Sequence, residues 1–357
     1  MAADDIVRTA AQGRANERPP LLVLDPLETY LDARGLGAGP IRATTLGDGH
    51  SNFTYLLERE DAEVVLRRPP RPPVPPSAHD VLREARLLAQ LEGTAVPTPK
   101  VLAACEDPKV IGAPFYLMDR VPGKVISGSI PPALDEPGER RRIGEQMIDV
   151  LVALHDVDWR PLDLDGFGRP SGYLERQVRR FRQLWEINRT RDLPQVEAVA
   201  DWLEANLPQT GRTTIVHGDY RPGNALFHEE APARMAAMLD WEMATLGDPF
   251  ADVGYLTVFW RDPEDPVDSL FDLSPVTRRE GFPRRRDLAA LYADRAGVEL
   301  PDLAWYQTLA LWKTSVFMEG NFKRAQLGAS DDPFLKEFEN GPVEIADWAL
   351  RVGPEGT

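Results

Sequence analysis

The sequence predicts an α+β fold in two lobes, on three observations. Short β-prone runs separated by turn residues fill the segment 41–119, with a helical pattern placed among them. Helical spacing of apolar residues then dominates from about residue 139 onward. A strand-turn-strand stretch at 213–240 interrupts those helices. Five strands with a helix, followed by a helix-rich half carrying a small β insert, separate into two layered bodies. A chain of 357 residues is long enough to bury a core in each.

In chain order, residues 1–20 are polar and read as a loose arm. Residues 24–36 read as a short helix that stops at Gly35, Gly37 and Gly39. Runs 41–46 and 53–58 form a strand pair around Gly47-Asp48-Gly49-His50-Ser51-Asn52, and 63–67 supplies a third strand. Between residues 69 and 76, six of eight positions are proline, which excludes the middle of a helix or sheet. This semi-rigid loop can recognise a partner module or simply join two elements, and we read it as a connection. The following helix, 79–91, can bury Val81, Leu82, Ala85, Leu88 and Ala89 on one side before Gly93 stops it. Strands at 99–103 and 114–119 complete the sheet. Pro122-Gly123 breaks the pattern, giving an arm and helix at 1–39, a first lobe at 40–122 and a larger helical lobe at 123–357. Helices are expected there at 139–155, 171–188, 194–206, 285–296 and 302–326.

Composition excludes several functions. A net charge of −16 argues against a nucleic-acid groove or an anionic membrane surface as the main partner. No apolar run approaches the ~20 residues that span a bilayer, and no basic-then-apolar leader opens the chain, so neither membrane insertion nor secretion is expected. Cys105 is the sole cysteine and cannot form an internal disulfide, which suits a reducing cytoplasm.

The strongest local feature is Ile215-Val216-His217-Gly218-Asp219-Tyr220-Arg221-Pro222-Gly223-Asn224-Ala225-Leu226-Phe227. An apolar strand ends at a small hinge, a polar loop opens on an acid, and the loop closes on an amide before the apolar chain resumes. The run Ala236-Ala237-Met238-Leu239-Asp240 likewise delivers a carboxylate at a strand end. Two rigid strand ends can thus place Asp219, Asn224 and Asp240 around one cleft. Their oxygens suit a hard cation such as Mg²⁺, which keeps waters and binds phosphates. Phosphoryl transfer also needs one carboxylate to orient an attacking hydroxyl and take its proton. Asp219 fits that role, with Asn224 and Asp240 on metal. The alternative is a polar network that only ties the loops together.

His217-Gly218-Asp219 with Asn224 five residues after the acid resembles the catalytic loop of the aminoglycoside phosphotransferase and choline kinase superfamily. Asp240 and the stretch Gly247-Asp248-Pro249-Phe250-Ala251-Asp252-Val253-Gly254 resemble that superfamily's next two motifs. The resemblance implies a protein-kinase-like bilobal fold with a five-stranded antiparallel sheet in the first lobe, and ATP as phosphate donor. It implies Asp219 as catalytic base, Asn224 and Asp240 as Mg²⁺ ligands, Asp252 as a brace for the catalytic loop, and His217 as support. In the first lobe, Gly47, Gly49, Ser51 and Asn52 stand where small residues let backbone amides approach phosphate, or else form an ordinary hairpin turn. Arg67 stands where kinase-like enzymes carry a phosphate-pairing lysine; it keeps the charge with a different geometry. Adjacent Arg68 points to the other side by strand alternation. Glu84 can pair with Arg67 or face solvent. Phe115-Tyr116-Leu117-Met118-Asp119-Arg120-Val121-Pro122-Gly123 resembles the hinge between kinase lobes, with Met118 against adenine or else in the core, and backbone groups from Asp119 to Val121 at the adenine edge.

The acceptor is a small hydroxyl-bearing molecule by the same resemblance. Its identity, the choice of ATP or GTP, and the oligomeric state stay open. Arginine-rich segments 176–182 and 278–286 can attract an anion, scattered acids a cation, and most of these residues read as solvated helix faces. Val65-Leu66-Arg67-Arg68-Pro69-Pro70 and Leu239-Asp240-Trp241-Glu242-Met243 resemble proteins related to the kinase domain of some acyl-CoA dehydrogenases. That makes a hydroxyacyl-CoA or other metabolic alcohol an alternative to an aminoglycoside. A non-catalytic ATP-binding or scaffolding protein is the other reading. Trp305, Trp312, Phe317 and Phe322 can serve core or substrate-pocket packing, and most of them are assigned to the core.

Overall fold

Alternation of apolar residues along the first strands sets the architecture of the amino-terminal part. The computed structural model describes residues 5–14, 18–47, 52–72, 79–209, 211–265, 272–328 and 338–356. Gly49, Ser51 and the second half of the proline-rich stretch fall outside these residues. The chain divides into two compact units: Met1–Gly93 with Thr98–Pro122, and Thr94–Pro97 with Gly123–Thr357.

The first unit opens with β1 (Ile6–Val7), α1 (Ala10–Gly13), β2 (Leu22–Val23) and α2 (Leu24–Asp32). Then come β3 (Arg42–Leu46), β4 (Phe53–Glu58), β5 (Glu63–Arg68), α3 (Val81–Leu91), β6 (Val101–Cys105) and β7 (Phe115–Asp119). Strands β3 to β7 make one antiparallel five-stranded sheet in the order β3-β4-β5-β7-β6. With a period of two, Tyr55, Leu57, Val64, Leu66, Phe115 and Leu117 share one face and are fully or nearly fully buried. Leu22, Leu27 and Leu31 join them in one core. The expected loose arm is therefore corrected. Ile6–Val7 pairs in parallel with Leu22–Val23, and Thr9 caps α1 through a capping box. Apolar Leu21 and Leu22, with no exposure, anchor that segment beneath the sheet. Helix α2 also stops at Asp32, short of residue 36, and α3 starts at Val81 because Asp80 caps it through Arg83 N.

The second unit contains β8 (Lys124–Val125), α4 (Pro137–Asp156), α5 (Tyr173–Asn188), α6 (Pro194–Ala205), β9 (Thr214–Val216), β10 (Ala225–Phe227), β11 (Met235–Met238) and β12 (Thr245–Gly247). It ends with α7 (Phe250–Phe259), α8 (Arg285–Ala296), α9 (Ala304–Gln326) and α10 (Gly341–Val352). Helices α7 and α10 escaped the periodicity reading. In α7 almost every side chain is apolar, so no polar face marks the helical period. Helix α9 runs through the middle of its bundle and packs on α5, α6, α7 and α10. Trp305, Trp312 and Phe322 lie in that core, while Phe317 is exposed at its margin and meets Phe181 edge-on at 5.1 Å. Two small β ladders, β11-β10-β8 and β12-β9, sit among the helices and carry the polar loops. Among the described residues, no helix is long and apolar enough to cross a membrane.

Candidate active site

Strand β9 is fully buried and ends at His217-Gly218-Asp219. Gly218 has φ +85°, and a Cβ there would lie 2.8 Å from the Met243 carbonyl oxygen and 2.9 Å from its Cβ. Only glycine fits both the left-handed backbone and the contact, so the hinge before Asp219 is set by sterics. His217 is fully buried. Its Nε2 meets the Leu239 carbonyl at 2.9 Å, and its Nδ1 accepts the Asp219 N–H at 3.2 Å. The ring also packs on Trp241 at 4.7 Å between centroids. Both ring nitrogens are occupied by main chain, which ties His217 to the two strand ends.

Asp252, in the first turn of α7, is wholly buried. One carboxylate oxygen accepts the His217 N–H at 2.7 Å and the other the Gly218 N–H at 2.8 Å. His155, at the end of α4, approaches it at 3.3 Å and meets the Tyr292 hydroxyl at 2.8 Å on its far side. Burial alone would raise the Asp252 carboxyl. The His155 hydrogen bond and charge, the charge of His217 and the Gly218 N–H outweigh it, and Asp252 ends below the usual carboxylate range. Asp248 shows the reverse balance: burial keeps it raised although Phe250 N–H and the Tyr306 hydroxyl both donate to it.

The loop after the hinge gathers around Asp219, whose side chain is one-fifth exposed. Asn224 donates through Nδ2 to Asp219 Oδ2 at 2.7 Å and to its carbonyl at 2.9 Å, while Arg221 Nε donates to Oδ1 at 3.2 Å. Burial opposes the Arg221 charge, yet Asp219, Tyr255 and Asp240 overcome it and hold the guanidinium raised. Burial first, and then Asp219, push the Tyr255 hydroxyl well above its ordinary value. Asp240 follows β11, where the Leu239 N–H donates to the Asn224 carbonyl at 2.8 Å. It adopts φ +64° and ψ +61°, left-handed for a non-glycine residue, which marks a sharply turned strand end. The loop thus brings Asp219, Asn224, His217 and Asp252 into one bonded network, and Asp240 is tied to it through β11 and the field at Arg221.

The donor set suits a hard divalent cation. The amide nitrogen of Asn224 is committed to Asp219, which leaves its oxygen as the end able to act as a ligand. Among the described residues, no group of three or more His, Cys, Asp and Glu side chains is arranged to hold a metal alone. One amide oxygen and one carboxylate match a cation that takes its other ligands from water and phosphate.

In the first unit, Arg67 donates through Nε to Glu84 at 2.9 Å, and Glu84 is buried within α3. Arg68 goes to the opposite face, where it donates to the carbonyls of Leu21, Pro69 and Ile111. Burial lowers it to about 10, so it serves the core. Gly47 follows β3 with φ +72°, and Asn52 is buried just before β4. Met118 is buried in β7. The Asp119 N–H is taken by the Lys100 carbonyl at 3.0 Å and its side chain accepts the Lys100 N–H at 2.6 Å. That commits the Asp119 amide to the pairing with Lys100.

Several residues near the loop carried no motif. His155 is one polar residue on the apolar face of α4, and a lone histidine at an apolar helical position was the available signal. Arg221 lay inside the motif without a family role. Tyr255 and Lys313 are separated from it in sequence, and helix packing alone makes them neighbours of Gly218 and Asp252. Burial, reinforced by Arg180, lowers the Lys313 ammonium to about 8 against the attraction of Asp252 and Asp219.

A model of the phosphotransferase enzyme family matches residues 42–305. Acyl-CoA dehydrogenase family member 10 of Mus musculus is 36% identical over 339 residues, covering 92% of this chain and 31% of that protein. The chain spans less than half the length of the acyl-CoA dehydrogenase family members it matches. A crystal structure from Ralstonia eutropha, described as a candidate aminoglycoside phosphotransferase, aligns with TM-score 0.77 at 30% identity over 93% of this chain and 98% of that one. The aminoglycoside phosphotransferase APH(4)-Ia, in a ternary complex with AMP-PNP and hygromycin B, aligns with TM-score 0.58 at 16% identity over 92% and 99%. The chain therefore belongs to the phosphotransferase enzyme family, and its fold is the kinase-like fold of the aminoglycoside phosphotransferases.

Proposed function

We propose that this member of the phosphotransferase enzyme family transfers the γ-phosphoryl group of ATP, with Mg²⁺, to a hydroxyl of a small molecule. The observation that carries the reading is the Asp219 carboxylate, oriented by Asn224 and Arg221 on a hinge that Asp252 braces. A carboxylate has about four lone-pair sites, so these two donors leave capacity for an acceptor hydroxyl. Asp219 takes the hydroxyl proton as the new O–P bond forms, and the bond from the γ-phosphorus to the bridging oxygen breaks to release ADP. Asn224 and Asp240 would hold Mg²⁺, which when bound offsets phosphate charge. Arg67, kept in place by Glu84, is assigned to the phosphates, with Gly47, Gly49, Ser51 and Asn52 supplying the turn near them. Met118, Asp119 and Val121 are assigned to the adenine.

A metabolic alcohol, such as a hydroxyacyl-CoA, is a second reading of the acceptor. It is supported by 36% identity to an acyl-CoA dehydrogenase family member, against 16% to a hygromycin B-bound enzyme. A mass-spectrometric screen for ATP- and magnesium-dependent phosphorylation of aminoglycosides, amino alcohols, sugars and hydroxyacyl-CoAs tests both. A phosphorylated product names the acceptor; magnesium-dependent ATP binding with no product from any class would favour a non-catalytic role.

A further inference from the structure

Two arginine-rich stretches of the second unit behave differently. In the 278–286 stretch, Arg278 pairs with Asp272, Arg279 with Asp135, Arg284 with Glu264 and Arg285 with Asp262. Those charges are neutralised within the fold. Along α5 and the turn before it, Arg182 pairs with Asp201, and Arg176 donates to the carbonyls of Arg169 and Ser171. Among the described residues, however, no carboxylate forms an ion pair with Arg169, Arg179 or Arg180. These three, with Arg176, Gln177 and Gln183, line a hollow of about 360 Å³. Guanidinium forks and side-chain amides on a concave wall are the groups that grip phosphate or carboxylate. Concentrating them unpaired in a protein of net charge −16 leaves a local positive field where an anion is favoured.

The hollow adjoins the catalytic loop. Its lining includes Thr245 of β12, which pairs with Val216, three residues before Asp219. It also includes Tyr173, which lines a second, smaller hollow with Gly218, Tyr255 and Lys313. We infer that this hollow is an oxyanion subsite for the acceptor, holding a phosphate or carboxylate group of the molecule whose hydroxyl is presented to Asp219. The inference rests on the phosphotransfer reading and narrows it to anionic alcohols.

Two measurements on the full chain separate the subsite from the activity. In the first, inorganic phosphate is titrated calorimetrically into protein saturated with magnesium and AMP-PNP. Wild type should bind it, and the double variant Arg179→Gln/Arg180→Gln should bind at least about tenfold more weakly, as expected for losing charge-assisted hydrogen bonds. Absence of binding, or equal affinity in the variant, would overturn the subsite whatever the enzyme's activity. In the second, a hydroxy acid, its amide and the matching amine are compared as acceptors. The acid should be preferred, and the double variant should raise its KM about tenfold while leaving kcat and the KM for ATP in place. Preference for the amine, or an equal effect on the amide, would overturn the subsite. If no alcohol is phosphorylated, the phosphotransfer reading fails while the phosphate titration still decides the subsite.

Discussion

Asn224 donates its side-chain amide to both the carboxylate and the carbonyl of Asp219, at 2.7 and 2.9 Å. One side chain therefore fixes the rotamer of the acid and turns its own oxygen the other way. Asn224→Ala should lower kcat by about 10²-fold or more, since a positioned proton acceptor contributes that order. Asp240→Ala should instead abolish the response of ATP binding to magnesium. Titration of nucleotide binding at several magnesium concentrations checks the pair; an unchanged magnesium dependence in Asp240→Ala would remove it as a ligand.

Asp252 should prove a stability residue first. In Asp252→Asn one of the two N–H donors, from His217 or Gly218, faces an amide NH₂ and loses its partner, at a cost of about 2–3 kcal/mol. The carboxyl is depressed in the folded state, so its contribution is present above the ordinary value of 3.8 and fades as pH falls below it. Between neutral pH and about pH 3, denaturant melts should show the gap between wild type and variant narrowing once pH falls below 3.8. A constant gap across that window would argue against the assignment.

Gly218→Ala tests the hinge. The added Cβ meets the Met243 carbonyl at 2.8 Å on a backbone at φ +85°, and both conflicts are with main chain or its first side-chain atom. About 1–3 kcal/mol of destabilisation should accompany a loss of activity larger than that of Gly47→Ala, where nothing among the described residues lies within 4 Å. Thermal melts and turnover of the two variants give the comparison.

Lys313 should titrate at about 8 and therefore stand apart among only six lysines. Competitive amine labelling across pH, read by peptide mass, should show Lys313 reacting near pH 8 to the extent that the others reach only near their ordinary value of ~10.4. An apparent value near that of an exposed lysine would contradict the burial and the Arg180 field.

The fold was legible where pattern is local. Period-two alternation at Tyr55, Leu57, Val64 and Leu66 announces the sheet, and His217-Gly218-Asp219 announces the hinge. Helix α7 was not legible, because Phe250, Val253, Leu256 and Val258 leave no polar face to mark the turn. The amino-terminal segment was misread because two buried residues, Leu21 and Leu22, follow a polar run that looks unstructured by composition. The positions of Asp219, Asn224 and Asp240 followed from spacing along strands. Those of His155, Tyr255 and Lys313 depend on how α4, α7 and α9 pack, and no local pattern encodes that. The arginines of α5 look the same in sequence as those of 278–286; only the ion pairs distinguish them.

Transfer of phosphate at Asp219 is tested most directly by following γ-labelled ATP into product in the acceptor screen with wild type and Asp219→Asn side by side. Wild type should yield a phosphorylated alcohol in the presence of magnesium. Asp219→Asn should bind ATP with similar affinity and turn over about 10²–10⁴-fold more slowly, the range expected for loss of a general base. Undiminished transfer by Asp219→Asn would contradict the assignment of Asp219 as the proton acceptor.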